Sequence, residues 1–216
     1  MQLFGYYRSS ATYRIRIVLN VKKIDWQYHA VDLTTNEQQA EQFRSINPAG
    51  LVPVLDTGDA LLAQTAAIAE YLEEQFPQPA LLPIDPVARA QVREMMHTIG
   101  CDVHPLQNLR VLRYLRSEYS QDDEGVAQWC CNWIATGFDV FEKLAAKRSS
   151  AGRFCFGDSL TLADAWLIPH IHNARRYSLD LAPYPVITSI ERHCTALQAF
   201  TDAHPDRQAD SPSLRN

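Results

Sequence analysis

The sequence predicts an α/β domain followed by an all-α domain, and three observations carry that prediction. Residues 76–86, FPQPALLPIDP, hold four prolines in eleven positions, and proline cannot continue a helix interior. Ahead of that stretch, short aromatic and β-branched runs alternate with helical spacings. Beyond it no segment reads as a strand. The boundaries expected are 1–80 for the first domain, 81–86 for a proline-rich linker and 87–216 for the helical domain.

Each element follows from its residues. LFGYY is short, aromatic and strand-like, and residues 10–22 form a helix with Ile15, Val18 and Leu19 on one face. WQYHAVDL (26–33) is a second strand, and strand–helix–strand with short joints implies a parallel βαβ unit with a right-handed crossover. Residues 36–46 are polar and read as a looser helix. VPVLDTGDALLA places two apolar runs about an Asp-Thr-Gly-Asp turn, the pattern of a hairpin, and TAAIAEYLEEQ (65–75) is a third helix. A βαβ unit followed by ββα is the thioredoxin-like arrangement. In the second domain Val92, Met95, Met96 and Ile99 share one helical stripe, and Pro105 is expected to bend or break that helix just beyond His104. Further helices fit 126–147, 161–177 and 186–200, with Trp129, Trp133 and Phe138 as packing core. Thr161 three residues ahead of Asp164 forms a capping box that starts one of them. The last sixteen residues, TDAHPDRQADSPSLRN, read as a loose tail or surface strap.

Composition narrows the function. The 216 residues are 46% hydrophobic and 21% charged with net charge −5, an ordinary globular balance that argues against nucleic acid as a partner. No apolar run approaches the roughly 20 residues of a membrane span. The N-terminus has no secretion pattern, and the cytoplasm is the expected setting. Five cysteines without CxxC or zinc-type spacing imply no metal site and reduced core thiols in a reducing compartment.

Three stretches carry chemistry. Ser9, Ser10 and Thr12 cluster where a strand gives way to a helix. One hydroxyl suffices for an N-cap, and the helix N-terminus would also stabilise a thiolate. This chain places hydroxyls there, so the thiolate would arrive with a ligand. A serine O–H aimed at sulfur is worth roughly 1.5–3 kcal/mol, or about one to two pKa units. Val52-Pro53 opens a strand, an ordinary place for proline. A cis bond there would instead turn the Val52 backbone toward a peptide. Gln64-Thr65 starts the third helix, where a hydroxyl and an amide suit a carboxylate, although Thr65 as a plain N-cap fits as well. Together they describe a thiol-bearing tripeptide, glutathione.

YYRSSATYRIRI, NPAGLVPVL, QTAAIAEYLEE, DVHPLQNLRVLRYL, GDSLTLADAWLIP and NARRYSLDLAPYP span most of the chain. In this order they resemble the zeta class of glutathione transferases. The resemblance implies glutathione as cofactor, a homodimer, Ser9 as the hydroxyl that activates the sulfur with Ser10 beside it, and Thr12, Val52, Pro53, Gln64 and Thr65 around the tripeptide. It brings Asp102, His104 and Asn108 to the tripeptide from the helical domain. Arg8 and Arg176 are expected to clamp the substrate carboxylate, since arginine's planar fork suits a carboxylate. Arg14 and Arg16 are expected to anchor the helix or a subunit interface. His97, His170 and His172 read as structural or surface residues. Members of the class carry Ser-Ser-Cys-Ser in the first motif. Here the run is Ser9-Ser10-Ala11-Thr12, so no protein nucleophile stands beside the sulfur.

The reaction implied is cis–trans isomerisation of a maleyl keto acid, maleylacetoacetate in tyrosine and phenylalanine breakdown. Thiolate addition makes the double bond temporarily single, the bond rotates, and elimination restores it in the trans form. Maleylpyruvate of gentisate breakdown, and general transferase or α-halo-acid dehalogenase activity, are the enzymatic alternatives. A non-catalytic interaction module on the same fold is the alternative of another kind, which Ala11 favours and Ser9, Gln64 and Thr65 oppose.

Overall fold

The structure, a computed structural model, describes residues 1–149 and 152–214. The chain divides into two compact units, Met1–Ala80 with Thr195–Asn216, and Leu81–Cys194. The α/β-then-all-α order expected from the sequence is the observed one. The helical domain is expected over 87–216, and the C-terminal part of that range, Thr195–Asn216, groups with the first unit.

The first unit begins β1 (Gln2–Gly5), α1 (Ser10–Val21), β2 (Gln27–Ala30) and α2 (Glu41–Ile46). It continues with β3 (Val54–Asp56), β4 (Leu61–Ala63) and α3 (Thr65–Gln75). The sheet runs β2-β1-β3-β4, with β1 parallel to β2 and the other pairs antiparallel. Strand residues alternate in direction. Leu3 is therefore fully buried, while Phe4 on the opposite side packs on Val31, Phe43 and Val54. Two expectations shift here. Residues 36–46 split into a 3₁₀ turn at Glu37–Gln39 and a short α2, and β2 is only four residues long. The β3–β4 turn forms as read: Gly58 has φ +94, and its N–H donates to Asp56 Oδ1 at 2.8 Å.

Helix α1 is buried from Ser10 to Leu19, including both arginines, so it is a core helix rather than an amphipathic one. Ile15, Val18, Leu19, Ile68 and Leu72 are fully buried, each such side chain contributing about 1.5–3 kcal/mol. Lys22, just past α1, has a fully buried side chain that pairs with Glu73 at 2.7 Å and donates to the carbonyls of Phe76 and Pro79 at 2.6 and 3.0 Å. This charge satisfies the end of α3, where the last carbonyls lack helical partners.

The second unit holds α4 (Pro86–Gly100), α5 (Leu109–Tyr119), α6 (Asp123–Ser149), α7 (Leu162–Arg176) and nearly all of α8 (Pro185–Thr195). Asp85 caps α4, accepting from Ala88 N at 2.8 Å with Pro86 at the first helical position. Val92, Met95, Met96 and Ile99 are buried, and α4 packs on α7 and α6. The helix ends at Gly100, before His104 and not beyond it, and residues 104–107 form a 3₁₀ turn that includes Pro105. At the start of α7 the fully buried Asp164 carboxylate accepts from Thr161 N, Thr161 Oγ1 and Cys155 N at 2.8, 3.0 and 2.8 Å. Burial raises its pKa above the ordinary carboxylate value.

The chain then returns to the first unit with α9 (Gln198–Ala203), which packs on α1. Of the segment expected as a loose tail, residues 201–214 are folded here, with Gln208 and Ser211 buried, and the last two lie outside the described residues. Gln208 Nε2 donates to the carbonyls of Asp202 and His204 at 2.8 and 2.9 Å.

Candidate functional site

Three connections leave the sheet of the first unit at one end. Val54, the first residue of β3, pairs with Phe4 near the end of β1 and with Ala63 at the end of β4. Adjacent strands lie about 4.8 Å apart. The register therefore brings the Tyr6–Ser9 loop, Val52-Pro53 and Gln64 to neighbouring positions above the same edge. Three of the sequence-predicted groups converge by topology.

Ser9 is the N-cap of α1, with extended backbone. Its Oγ accepts from Thr12 N at 3.2 Å. A hydroxyl has one proton to donate and two lone pairs. Capping consumes only a lone pair, so the Ser9 proton stays available, at a helix N-terminus where negative charge is favoured. Ser9 N donates to Tyr6 O at 3.0 Å, closing the four-residue turn that presents it. Ser10 is the first helical residue and nearly buried, as is Ala11, while Arg8 is exposed. Burial pushes the Tyr6 phenol up to about 12, with the neighbouring Arg8 charge acting the other way.

Thr12 does not share the Ser9 surface. It is fully buried, its Oγ1 accepting from Tyr6 N at 3.5 Å and its methyl lying against Gly5. It supports the loop from beneath.

The Val52–Pro53 bond is cis, with Val52 half-buried and Pro53 buried. Gln64, the residue before α3, is exposed and has φ 72, ψ 116. Such a conformation costs a non-glycine residue about 1–3 kcal/mol and is characteristic of ligand-contacting positions. Thr65 opens α3, and its hydroxyl accepts from Arg14 Nη1 at 3.4 Å. Arg14 is buried, so a positive charge underlies the start of that helix. Arg14 and Arg16 both anchor α1; Arg16 donates to the carbonyls of Ala203 and Tyr7, each at 2.9 Å.

The remaining candidates belong to the second unit. Asp102 is exposed in the turn after α4. His104 opens the following 3₁₀ turn, its ring edge-on to that of the buried His170 at 5.5 Å. Asn108 caps α5, its side-chain oxygen accepting from Arg110 N at 3.2 Å. The two arginines at the end of α7 differ. Arg175 makes a two-pronged pair with Glu191 at 3.0 and 2.5 Å. Arg176 has its guanidinium 4.5 Å from the Tyr177 ring centroid and donates to the Tyr177 hydroxyl at 2.5 Å. Arg176 is thus held by an aromatic ring, whose uncharged contact leaves its cation uncompensated by that partner.

The cysteines are free thiols. Cys130, Cys155 and Cys194 are buried as expected, but Cys101 is exposed, its Sγ 3.4 Å from His97 Nδ1. One residue that bears on the loop was not singled out in the sequence. Asp210 accepts from Tyr7 N at 2.8 Å across 203 positions of chain, and a lone aspartate in a polar tail gives no signal of that contact.

Residues 3–80 match the glutathione S-transferase N-terminal domain family. The chain is 45% identical to a maleylpyruvate isomerase of Ralstonia, over 98% of this chain and 100% of that protein. It is 40% identical to the maleylacetoacetate isomerase of Pseudomonas aeruginosa, over 99% and 100%. Among solved structures, a holo maleyl pyruvate isomerase described as a bacterial zeta-class glutathione S-transferase superposes with TM-score 0.96 at 45% identity, covering 98% of this chain and 100% of that one. A maleylacetoacetate isomerase from Methylobacterium extorquens AM1 with bound malonate and GSH has TM-score 0.94 at 37% identity, with 98% and 100% covered. The fold is that of a glutathione transferase, and the chain belongs to the zeta-class family of maleylpyruvate and maleylacetoacetate isomerases.

Proposed function

We propose that this protein is a glutathione-dependent cis–trans isomerase of a maleyl keto acid, maleylacetoacetate or maleylpyruvate. One observation carries the reading: Ser9 Oγ caps α1 by accepting from Thr12 N, which leaves its proton to donate at a helix N-terminus. The residues fit a bound tripeptide, with the Ser9 loop, Val52 and Gln64-Thr65 all at one sheet edge. When bound, glutathione supplies the thiolate that adds to the cis double bond and leaves once that bond has turned.

The chain's own residues have separate tasks. Ser9 donates to the sulfur and favours its charged form. Ser10 lines the start of α1 behind it. Val52 offers its backbone to the peptide, and Gln64 and Thr65 meet a carboxylate at the N-terminus of α3, above the buried Arg14 charge. Arg8 and Arg176 present guanidinium groups to substrate carboxylates, and His104, Asn108 and Asp102 are the polar candidates of the second unit. Ala11 leaves the sulfur chemistry wholly to the tripeptide.

Maleylpyruvate is favoured as the second reading because the relative with 45% identity carries that name. A homodimer belongs to the same proposal, supported by the exposed apolar side chains of Ile84 and Val87. So does a cytoplasmic setting, supported by five free thiols. Among the described residues no helix is long and apolar enough to cross a membrane. The test is turnover of both maleyl acids with and without added glutathione, with Arg176→Ala alongside. Fumaryl product is expected only with glutathione, and Arg176→Ala is expected to raise KM about tenfold or more, the cost of a lost charge-assisted clamp. Absence of product from both acids would refute the reading.

A further inference from the structure

Asp210 and Arg16 together enclose the backbone of a single residue, Tyr7. The Tyr7 N–H donates to Asp210 Oδ2 at 2.8 Å, and the Tyr7 carbonyl accepts from Arg16 Nη2 at 2.9 Å. Tyr7 lies inside the turn closed by Ser9 N on Tyr6 O. We propose that Asp210 is a positioning residue for the thiol-activating loop: the C-terminal segment clamps Tyr7 and so fixes where the Ser9 hydroxyl stands. The inference rests on the reading of Ser9 given above.

Both halves of the clamp are themselves held. The same Asp210 oxygen accepts from the Tyr28 hydroxyl of β2 at 3.1 Å. Arg16 is fully buried, donates through Nε to Ala203 O at 2.9 Å and lies 5.3 Å from the Tyr13 ring centroid. Sheet, first helix and C-terminal segment thus meet at the backbone of one residue. The segment is tied down in turn by Gln208, on the carbonyls of Asp202 and His204.

Both bonds to Tyr7 involve a charged partner, the stronger kind. Without them Tyr7 loses both charge-assisted anchors of its backbone. A hydroxyl must reach a sulfur within a few tenths of an ångström to bond it well. Displacement of a reacting group by about 1 Å can cost up to about a hundredfold in rate. Asp210 touches neither tripeptide nor substrate in this scheme, so its effect travels through Tyr7 and Ser9.

The test compares the unaltered protein with Asp210→Ala and Asp210→Asn, and runs Ser9→Ala and Glu73→Gln in parallel. Two readouts are independent of turnover: amide hydrogen exchange at Tyr7 without glutathione, and pH titration of the ultraviolet thiolate absorbance of bound glutathione. Asp210→Ala is expected to speed Tyr7 exchange about tenfold or more, to raise the bound-thiol pKa by about one unit, and to lower kcat about tenfold with KM for the maleyl acid nearly unchanged. Asp210→Asn keeps an acceptor for Tyr7 N and should restore most of each value. Glu73→Gln, which breaks the Lys22 pair in the same unit, should lower Tm and leave the thiol pKa alone. An unchanged thiol pKa in Asp210→Ala, with a raised one in Ser9→Ala, would overturn the clamp and spare the Ser9 reading. An unchanged value in both would remove the reading itself. An equal shift in Glu73→Gln would reduce Asp210 to general stability and overturn the clamp. Should Asp210→Ala fold too poorly to assay, Asp210→Glu, its carboxylate one methylene further out, carries the same expectation and the same refutation.

Discussion

Ser9 can cap α1 and still donate, because a hydroxyl can accept and donate at once. Its lone pair holds Thr12 N, and the cap that starts α1 leaves its proton available to donate. Thr12, three residues on, is turned inward by the same helix and lies where only glycine fits on β1. A Cβ added at Gly5 would come 2.2 Å from Thr12 Cγ2. Gly5→Ala is therefore expected to cost about 1–3 kcal/mol, read as a fall in Tm. It should weaken glutathione binding as well, because Thr12 Oγ1 supports the Tyr6 amide of the same loop. A glycine variant with unchanged Tm and unchanged glutathione affinity would contradict this packing. The hydroxyl cluster itself was legible in YYRSSATY, since serine and threonine at a strand-to-helix joint have few local explanations. That Thr12 is turned inward was not legible, because the close approach of Gly5 decides it, and that is a contact between elements.

Elements with a strong local signal formed as read. α3 starts at Thr65, and the hairpin turns on Asp-Thr-Gly-Asp. Departures arose where tertiary contacts set the answer. The α4 stripe stops at Gly100 although helical spacing continues, and the polar C-terminal run folds because Asp210 finds Tyr7 N and the Tyr28 hydroxyl elsewhere in the first unit and Gln208 binds carbonyls of the run itself. His204 in that segment is a pH-sensitive point. Burial lowers its pKa below the ordinary imidazole value, with Asp206 opposing, and its Nδ1 accepts from Asp206 N at 3.2 Å. A base whose folded pKa is depressed binds its proton more readily in the unfolded chain. Its contribution is therefore complete above about pH 6.5 and is lost as pH falls from there toward the folded pKa. Hydrogen exchange over residues 198–214 should accelerate as pH is lowered through that window, after correction for intrinsic rates. His204→Gln should flatten the dependence. Equal slopes in both proteins would assign the effect to another group.

For the whole molecule, the central claim is that the protein makes a guest sulfur anionic and supplies no nucleophile of its own. Net charge −5 and five free thiols are compatible with many enzymes; family membership and the convergence at one sheet edge make this one specific. The class of reaction was legible because its motifs recur in order along the chain. The choice between the two maleyl acids was not, since both carry the same maleyl group and a carboxylate. The most direct measurement is the pKa of the glutathione thiol bound to the unaltered protein and to Ser9→Ala, followed by thiolate absorbance. The account predicts a bound thiol well below the free value of about 8.5, raised by about one to two units when the hydroxyl is removed. A thiol that titrates at its free value in the unaltered protein, or identically in both, would contradict it.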